Sequence, residues 1–228
     1  MPHDQLEVLY EDNHLLAVVK PVGLATMGVA EGRPSLLAVA KEYVKRRYHK
    51  PGNVYLGAMS RLDAQVSGVV LFARTSKAAA RLTEQFRSRA VEKLYWAIVA
   101  GEPPSAGECV DWLAKDERHR RMHVARADAP CAQEARLTFR KLANLPKGSL
   151  FEISLETGRK HQIRLQLSSR GWPIFGDRKY GSREPFACGI ALHARRIAFT
   201  HPTRGEAIEL VAPLPVAWRK LGLKGDMD

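Results

Sequence analysis

The chain encodes an α+β protein with a mixed, largely antiparallel central sheet flanked by helices, and three observations lead there. Runs with β-type alternation outnumber runs with helical periodicity. Neighbouring β-rich runs are joined by connections too short for a parallel crossover, which needs a dozen residues or more. A length of 228 residues, 45% hydrophobic and 26% charged, suits one generous globular domain that buries roughly 70% of its unfolded surface. The same composition excludes disordered, fibrous and disulfide-stapled classes.

The elements follow in order. Leu6 to Tyr10 and His14 to Lys20 are short β-rich runs parted by Glu11-Asp12-Asn13, a hairpin that ends at Pro21-Val22-Gly23. From Ser35 to Arg47, Leu36, Val39, Ala40, Tyr43 and Val44 recur at helical spacing, with Lys41, Lys45, Arg46 and Arg47 largely between them, which predicts an amphipathic helix with a basic outer side. Val69 to Ala73 reads as a buried strand. Ser76 to Arg89 reads as a helix capped by Ser76, with Ala79, Leu82 and Phe86 inward and Arg87 and Arg89 near the negative end of its dipole. Lys93 to Val99 alternates as a further strand, Gly101 to Ala106 is a turn-rich break, and Asp111 to Asp128 is a charged excursion of low order. Ala135 to Leu142, Leu150 to Leu155, Ile197 to His201 and Ile208 to Val211 read as strands, and Lys160 to Arg170 as a short helix closed by Gly171.

Charge points to the partner. Lys and Arg number 36 against 24 Asp and Glu, a net charge of +12 with a pI near 9.9, so a polyanion is expected and nucleic acid is the first candidate. The excess is +1 over residues 1–60 (7 basic, 6 acidic), +3 over 61–130 (12 and 9) and +8 over 131–228 (17 and 9). Cys109, Cys131 and Cys188 stand singly without CxxC spacing, which argues against a zinc ribbon or redox dithiol and for a reducing compartment. The first residues, MPHDQLEVLYEDNH, are polar and acidic where a signal peptide is basic and then apolar, and no apolar run is long enough to span a bilayer. A soluble cytoplasmic protein with no membrane partner is expected.

Three segments pin polar residues between apolar strands and glycines. Ser60-Arg61-Leu62-Asp63-Ala64-Gln65-Val66-Ser67-Gly68 sets an Arg and an Asp just ahead of the buried strand at Val69, a place where the environment of a carboxylate can be controlled. Thr157-Gly158-Arg159-Lys160-His161-Gln162-Ile163-Arg164 reads as a turn opening a helix whose first turns combine backbone amides with cations, suited to phosphate or to a carboxylate. Gly176-Asp177-Arg178-Lys179-Tyr180-Gly181 is a tight polar loop, followed by Leu192-His193-Ala194 and His201-Pro202. Taken singly, Asp63 reads first as a turn aspartate capped by Ser67, Lys160 and Arg170 as a solvated basic face, and the loop at 176–181 as structural as readily as substrate-contacting.

Together their order and separation resemble the RluA-type RNA pseudouridine synthases: RLDxxxSG at Arg61 to Gly68, KxYxAxVxG at Lys93 to Gly101, TGRxHQIRxxL at Thr157 to Leu167, GDxxYG at Gly176 to Gly181, and LHA with a following HP. The likeness runs from near Glu7 to Pro215. It implies the pseudouridine synthase catalytic fold as a single domain over 1–228, with no separate RNA-binding domain of the S4 kind, and a monomer is expected. It implies that Asp63 is the catalytic carboxylate, that Tyr95 packs against the target base, that Arg164 pairs with the carboxylate, and that Arg61 helps fill the gap left by the flipped nucleotide. Arg159, His161, Gln162 and Leu192 are the further substrate-binding residues it implies. The chain departs from the common pattern at Ser60, Val66, Lys160 and Gln166, where family members commonly carry His, Thr, Thr and His. Those departures bear on RNA contacts and loop support more than on the reaction.

The implied reaction isomerises uridine in ribosomal or transfer RNA: the N1 to C1′ bond breaks, uracil turns, and C5 bonds to C1′. It calls for no cofactor and no metal, in keeping with a sequence that has no Walker A run, no GxGxxG after a strand and no metal-ligand cluster. Asp63 attacks C1′ or removes a sugar proton, and both routes require the ionised carboxylate, which a neighbouring guanidinium favours. Two rivals stand beside it. One is a non-catalytic RNA-binding or RNA-folding protein on the same scaffold. The other is a nucleoside-cleaving enzyme using a second carboxylate, with Glu84, Glu92 or Asp177 as candidates.

Overall fold

The computed structural model describes residues 6–119, 121–221 and 223. In chain order the elements are β1 (Val8–Glu11), β2 (Leu15–Lys20), α1 (Leu36–Arg47), β3 (Gly57–Ala58), β4 (Ser67–Ala73), α2 (Ser76–Arg87), β5 (Glu92–Val99), β6 (Ala106–Asp116), β7 (Arg121–Ala125), β8 (Gln133–Leu145), β9 (Gly148–Leu155), α3 (Gln162–Ser168), a 3-10 turn (Arg178–Tyr180), β10 (Leu192–Thr200), β11 (Ala207–Val211) and α4 (Val216–Arg219). Strands dominate and helices are few, as the α+β expectation has it. The chain divides into two compact units: residues as far as Val91 with Ala194–Pro215, and Glu92–His193 with the described residues from Val216 onward.

The first unit orders its strands β1-β2-β4-β10, with β3 on β4 and β11 on β10. The pairs β1 with β2, β2 with β4 and β10 with β11 are antiparallel, and Val18 lies opposite Val70. The near-continuous apolar sequences of β2 and β4 are explained by burial on both faces: Leu15 to Val18 and Val70 to Ala73 are wholly shielded. Each such side chain contributes about 1.5–3 kcal/mol if large and aliphatic or aromatic. Ser35 and Thr75, both extended, cap α1 and α2 by accepting the N–H of Ala38 and Ala78. The cap of α2 is thus one residue earlier than Ser76. Gly68 is required where β4 begins: its φ is +123° and a Cβ there would meet the Ala194 carbonyl oxygen at 2.3 Å.

The second unit is a run of antiparallel neighbours, β5-β9-β8-β6-β7. Helix α3 lies against it, with Leu165 and Tyr180 packed among Leu113, Met122 and Ala135. The charged stretch expected to be an excursion is instead the end of β6 and all of β7, a hairpin in which Leu113 faces Val124 and Asp116 faces Arg121. Its alternation is masked in the sequence because exposed charged side chains stand at both strands' outward positions. Helix α3 is also shorter than expected. Arg159, Lys160 and His161 precede it, and His161 takes a left-handed φ of 55° as its N-cap.

Candidate active site

Asp63 sits in a short connection between β3 and β4 that is fastened at several points. The Met59 N–H donates to the Leu71 carbonyl at 2.9 Å, and the Ser60 hydroxyl accepts the Leu71 N–H at 3.1 Å. Leu62, a buried anchor, is bonded both ways to the Thr26 hydroxyl, which donates to its carbonyl and accepts its N–H, each at 3.0 Å. The Asp63 carbonyl closes a turn by accepting the Val66 N–H at 3.0 Å, and Ala64 accepts the Gly23 N–H at 2.7 Å. Asp63 is half-buried. Two departures from the family pattern have evident uses here, since Ser60 ties the loop to β4 and Val66 is a buried apolar support.

Lys20 is the residue that sequence reasoning missed. It is wholly buried at the end of β2, and its ammonium donates to the carbonyls of Pro21 (2.8 Å), Leu24 (2.6 Å) and Ala64 (3.3 Å). The available signal was a lysine closing an apolar run just before Pro-Val-Gly, because a cation so placed must find acceptors. Burial pushes its pKa down to about 8, and the negative charge of Asp63 opposes that fall. The unfolded chain keeps this proton up to its ordinary value of 10.5, so Lys20 makes folding more favourable as pH rises from about 8 toward that value. The same deprotonation leaves a neutral amine with two hydrogens for three carbonyls. Turnover is therefore expected to decline above about pH 8 in the parent protein, and Lys20→Met is expected to be slower throughout with that alkaline limb gone. A pH-rate profile of the two proteins checks this, and an alkaline limb persisting in Lys20→Met would assign it elsewhere.

In the second unit Tyr95 lies on β5 opposite Ile153 and is half-exposed, next to the buried Trp96. Arg164, on α3, is 4% exposed. Its Nε and Nη2 donate to Asp177 Oδ2 and Oδ1 at 2.7 and 2.8 Å, a two-pronged pair in which the carboxylate is also buried. The guanidinium lies 5.0 Å from the Tyr180 ring centre. The Tyr180 hydroxyl in turn accepts the Met122 N–H at 3.3 Å and lies 2.7 Å from His161 Nδ1. The loop at 176–181 is thus a clasp around Arg164, and Asp177 is committed to a cation.

The turn before α3 is built by Gln162. Its Oε1 accepts from the Thr157 hydroxyl (2.8 Å) and the Arg159 N–H (3.0 Å), while its Nε2 donates to the Arg136 carbonyl at 3.1 Å. Gln162 and Leu192 are buried, whereas Arg61 and Arg159 are exposed and His161 is intermediate. Arg159 Nε is anchored on the Glu134 carbonyl at 3.0 Å. Gln166, a further departure, is wholly buried and pins α3 to β6 and β8 by donating to the carbonyls of Cys109 and Ala135 at 3.1 and 3.0 Å. Among the described residues no group of His, Cys, Asp and Glu is arranged to hold a metal ion, and no helix is long and apolar enough to cross a membrane.

Comparison with known proteins agrees with the motifs. The sequence profile of the RNA pseudouridylate synthase family matches residues 14–169. An uncharacterized RNA pseudouridine synthase of Bacillus subtilis strain 168, YhcT, is 34% identical over 223 residues, 96% of this chain and 72% of the relative. Ribosomal large subunit pseudouridine synthase D of Pseudomonas aeruginosa is 34% identical over 230 residues, 92% of this chain and 69% of the relative. The solved structure of human RNA pseudouridylate synthase domain containing 4 is 27% identical, with a TM-score of 0.78 over 96% of this chain and 94% of that one. On its motifs, its fold and these relatives, the chain belongs to the RluA-type RNA pseudouridine synthases.

Proposed function

We propose that the protein converts a specific uridine of large-subunit ribosomal RNA to pseudouridine, acting as a monomer in the cytoplasm, with Asp63 as the catalytic carboxylate. The observation that carries the reading is the fastening of the Asp63 turn. Thr26 holds Leu62 on one side and Lys20 holds Ala64 on the other, so the half-buried Asp63 sits in a turn anchored at both of its neighbours. Such preorganisation is what bond cleavage at C1′ demands of a single acidic group.

The remaining roles follow from chemistry. A stacked base hides its glycosidic bond, so the nucleotide is flipped out at a cost of a few kcal/mol, offset by stacking on Tyr95 and by Arg61 entering the vacancy. Arg164, its guanidinium held by Asp177, is the cationic member of the proposed catalytic set. Arg159 and His161 contact phosphates, Gln162 shapes the turn that presents them, and Leu192 is an apolar wall for the base. The target is read from relatives named ribosomal large subunit synthases.

The test is to incubate the purified protein, with no added cofactor or metal, with unmodified transcripts of large-subunit ribosomal RNA and of transfer RNA, and to map pseudouridine at nucleotide resolution. A discrete site in the ribosomal transcript and none in transfer RNA is the expected result. Free uracil in place of pseudouridine would instead make the protein a nucleoside-cleaving enzyme, and a transfer RNA site would reassign its substrate.

A further inference from the structure

Residues 45–53 are exposed without interruption, from the last turn of α1 into the loop that leads to β3. Lys41, Lys45, Arg46, Arg47 and Lys50 therefore gather within ten residues, five of the 7 basic side chains in a segment, 1–60, whose overall charge is only +1. A count by thirds hides this cluster. Its counter-charges are few. Arg46 Nε bonds Glu42 at 2.7 Å, and Arg47 Nε lies 3.4 Å from Glu11, a carboxylate shared with Arg74. Lys41, Lys45 and Lys50 have no carboxylate partner among the described residues.

The helix dipole rewards cations in a last turn, which accounts for Lys45, Arg46 and Arg47. It does not account for Lys41, in mid-helix, or for Lys50, beyond the cap. Nor does it account for two large aromatic side chains left in water beside them, Tyr48 at 42% exposure and Tyr55 at 51%. The Tyr48 ring is braced by the Arg74 guanidinium, 4.4 Å from its centre, and Arg74 is held by Glu11. A hollow of about 330 Å³, lined by Pro34, Ala38, Val39, Glu42 and Arg46, opens on the same helix. Unpaired cations interleaved with exposed aromatic faces are the combination that tracks a nucleic-acid strand, the cations on phosphates and the rings on bases.

We propose that α1 from Lys41 onward and the loop as far as Tyr55 form a second RNA-gripping surface, which holds a strand of the substrate RNA other than the nucleotide delivered to Asp63. This inference rests on the proposed function for its choice of RNA as the polyanion. The surface adds affinity and salt dependence and takes no part in the chemistry, so its loss appears in KM and in binding, with kcat unchanged.

The experiment compares the parent with Lys41→Gln/Lys45→Gln/Lys50→Gln, a triple variant confined to exposed side chains, on the unmodified large-subunit ribosomal transcript. The expected result is binding weakened by about tenfold near physiological salt and a slope of log K against log salt shallower by about 2, as three lost phosphate contacts to a single strand require. The value of kcat at saturating transcript is expected to be unchanged, and Tyr55→Ala is expected to weaken binding without changing the salt slope. Equal affinity and equal slope for parent and triple variant would overturn the proposal. So would a triple variant that keeps its RNA affinity but loses binding to vesicles rich in anionic lipid. A parent that binds the transcript yet forms no pseudouridine would refute the proposed function, while the binding comparison would still decide on this surface.

Discussion

Asp63→Asn is expected to bind the ribosomal transcript like the parent and to form pseudouridine at least about 10⁴-fold more slowly, since attack at C1′ and removal of a sugar proton both require the charge that the substitution removes. The substitution is nearly isosteric, and the turn is held through its backbone and its neighbours. Val66 donates to the Asp63 backbone carbonyl, Thr26 holds Leu62, and Lys20 holds Ala64. What changes structurally is the field on Lys20, whose proton the Asp63 charge helps to retain. A slightly lower melting temperature is therefore expected alongside the lost activity. The measurement is tritium release from RNA labelled at uracil C5, the hydrogen displaced when C5 bonds to C1′, paired with a filter-binding titration. Turnover near that of the parent would remove Asp63 from the chemistry.

The second large effect concerns the clasp around Arg164. Asp177→Ala leaves a buried guanidinium without the carboxylate that takes two of its donors, a change that costs about 3–5 kcal/mol. For a chain of this size that corresponds to roughly 6–20 °C in melting temperature. Instability alone would also silence the enzyme, so a second variant is needed to separate the roles. Arg164→Met/Asp177→Leu replaces the pair with apolar side chains of similar volume, which commonly restores stability. It is expected to recover most of the lost melting temperature and to remain inactive, because the guanidinium is gone. Recovery of both stability and turnover in the double variant would reduce Arg164 to a structural residue.

Much of this architecture was legible in the sequence, and the parts that were not have physical causes. The strands at Leu15–Lys20, Ser67–Ala73 and Glu92–Val99 announced themselves because apolar runs of that length between turn residues have few alternatives. Strand β7 did not, because Arg121 and His123 face outward on an edge where alternation carries little apolar contrast. Helix α3 is shorter than the sequence suggests because Arg159 to His161 look helical, whereas Gln162 Oε1 accepts from Thr157 and Arg159 in a turn and His161 is left-handed at the boundary. Motif spacing marks Asp63, Tyr95 and Arg164 as candidates. It does not mark their partners. A pattern can mark Asp177 as a loop residue, but only coordinates reveal that both its oxygens face one guanidinium. Lys20 escaped for a similar reason, since its three acceptors are carbonyls, which every residue possesses.

The discontinuity of the first unit has a consequence for biogenesis. Gly68 begins its strand pressed against Ala194, yet the chain leaves that unit at Val91 and returns only at Ala194. During synthesis, which proceeds from the N-terminus at roughly 5–20 residues per second, the neighbour that closes this edge is missing for roughly 7–26 s after Asp63 leaves the ribosome. The nascent segment must wait with an open β4 edge, while Glu92–His193 emerges as a block that can pair internally. The β4 edge that follows Asp63 is thus completed late, only after residue 194 appears.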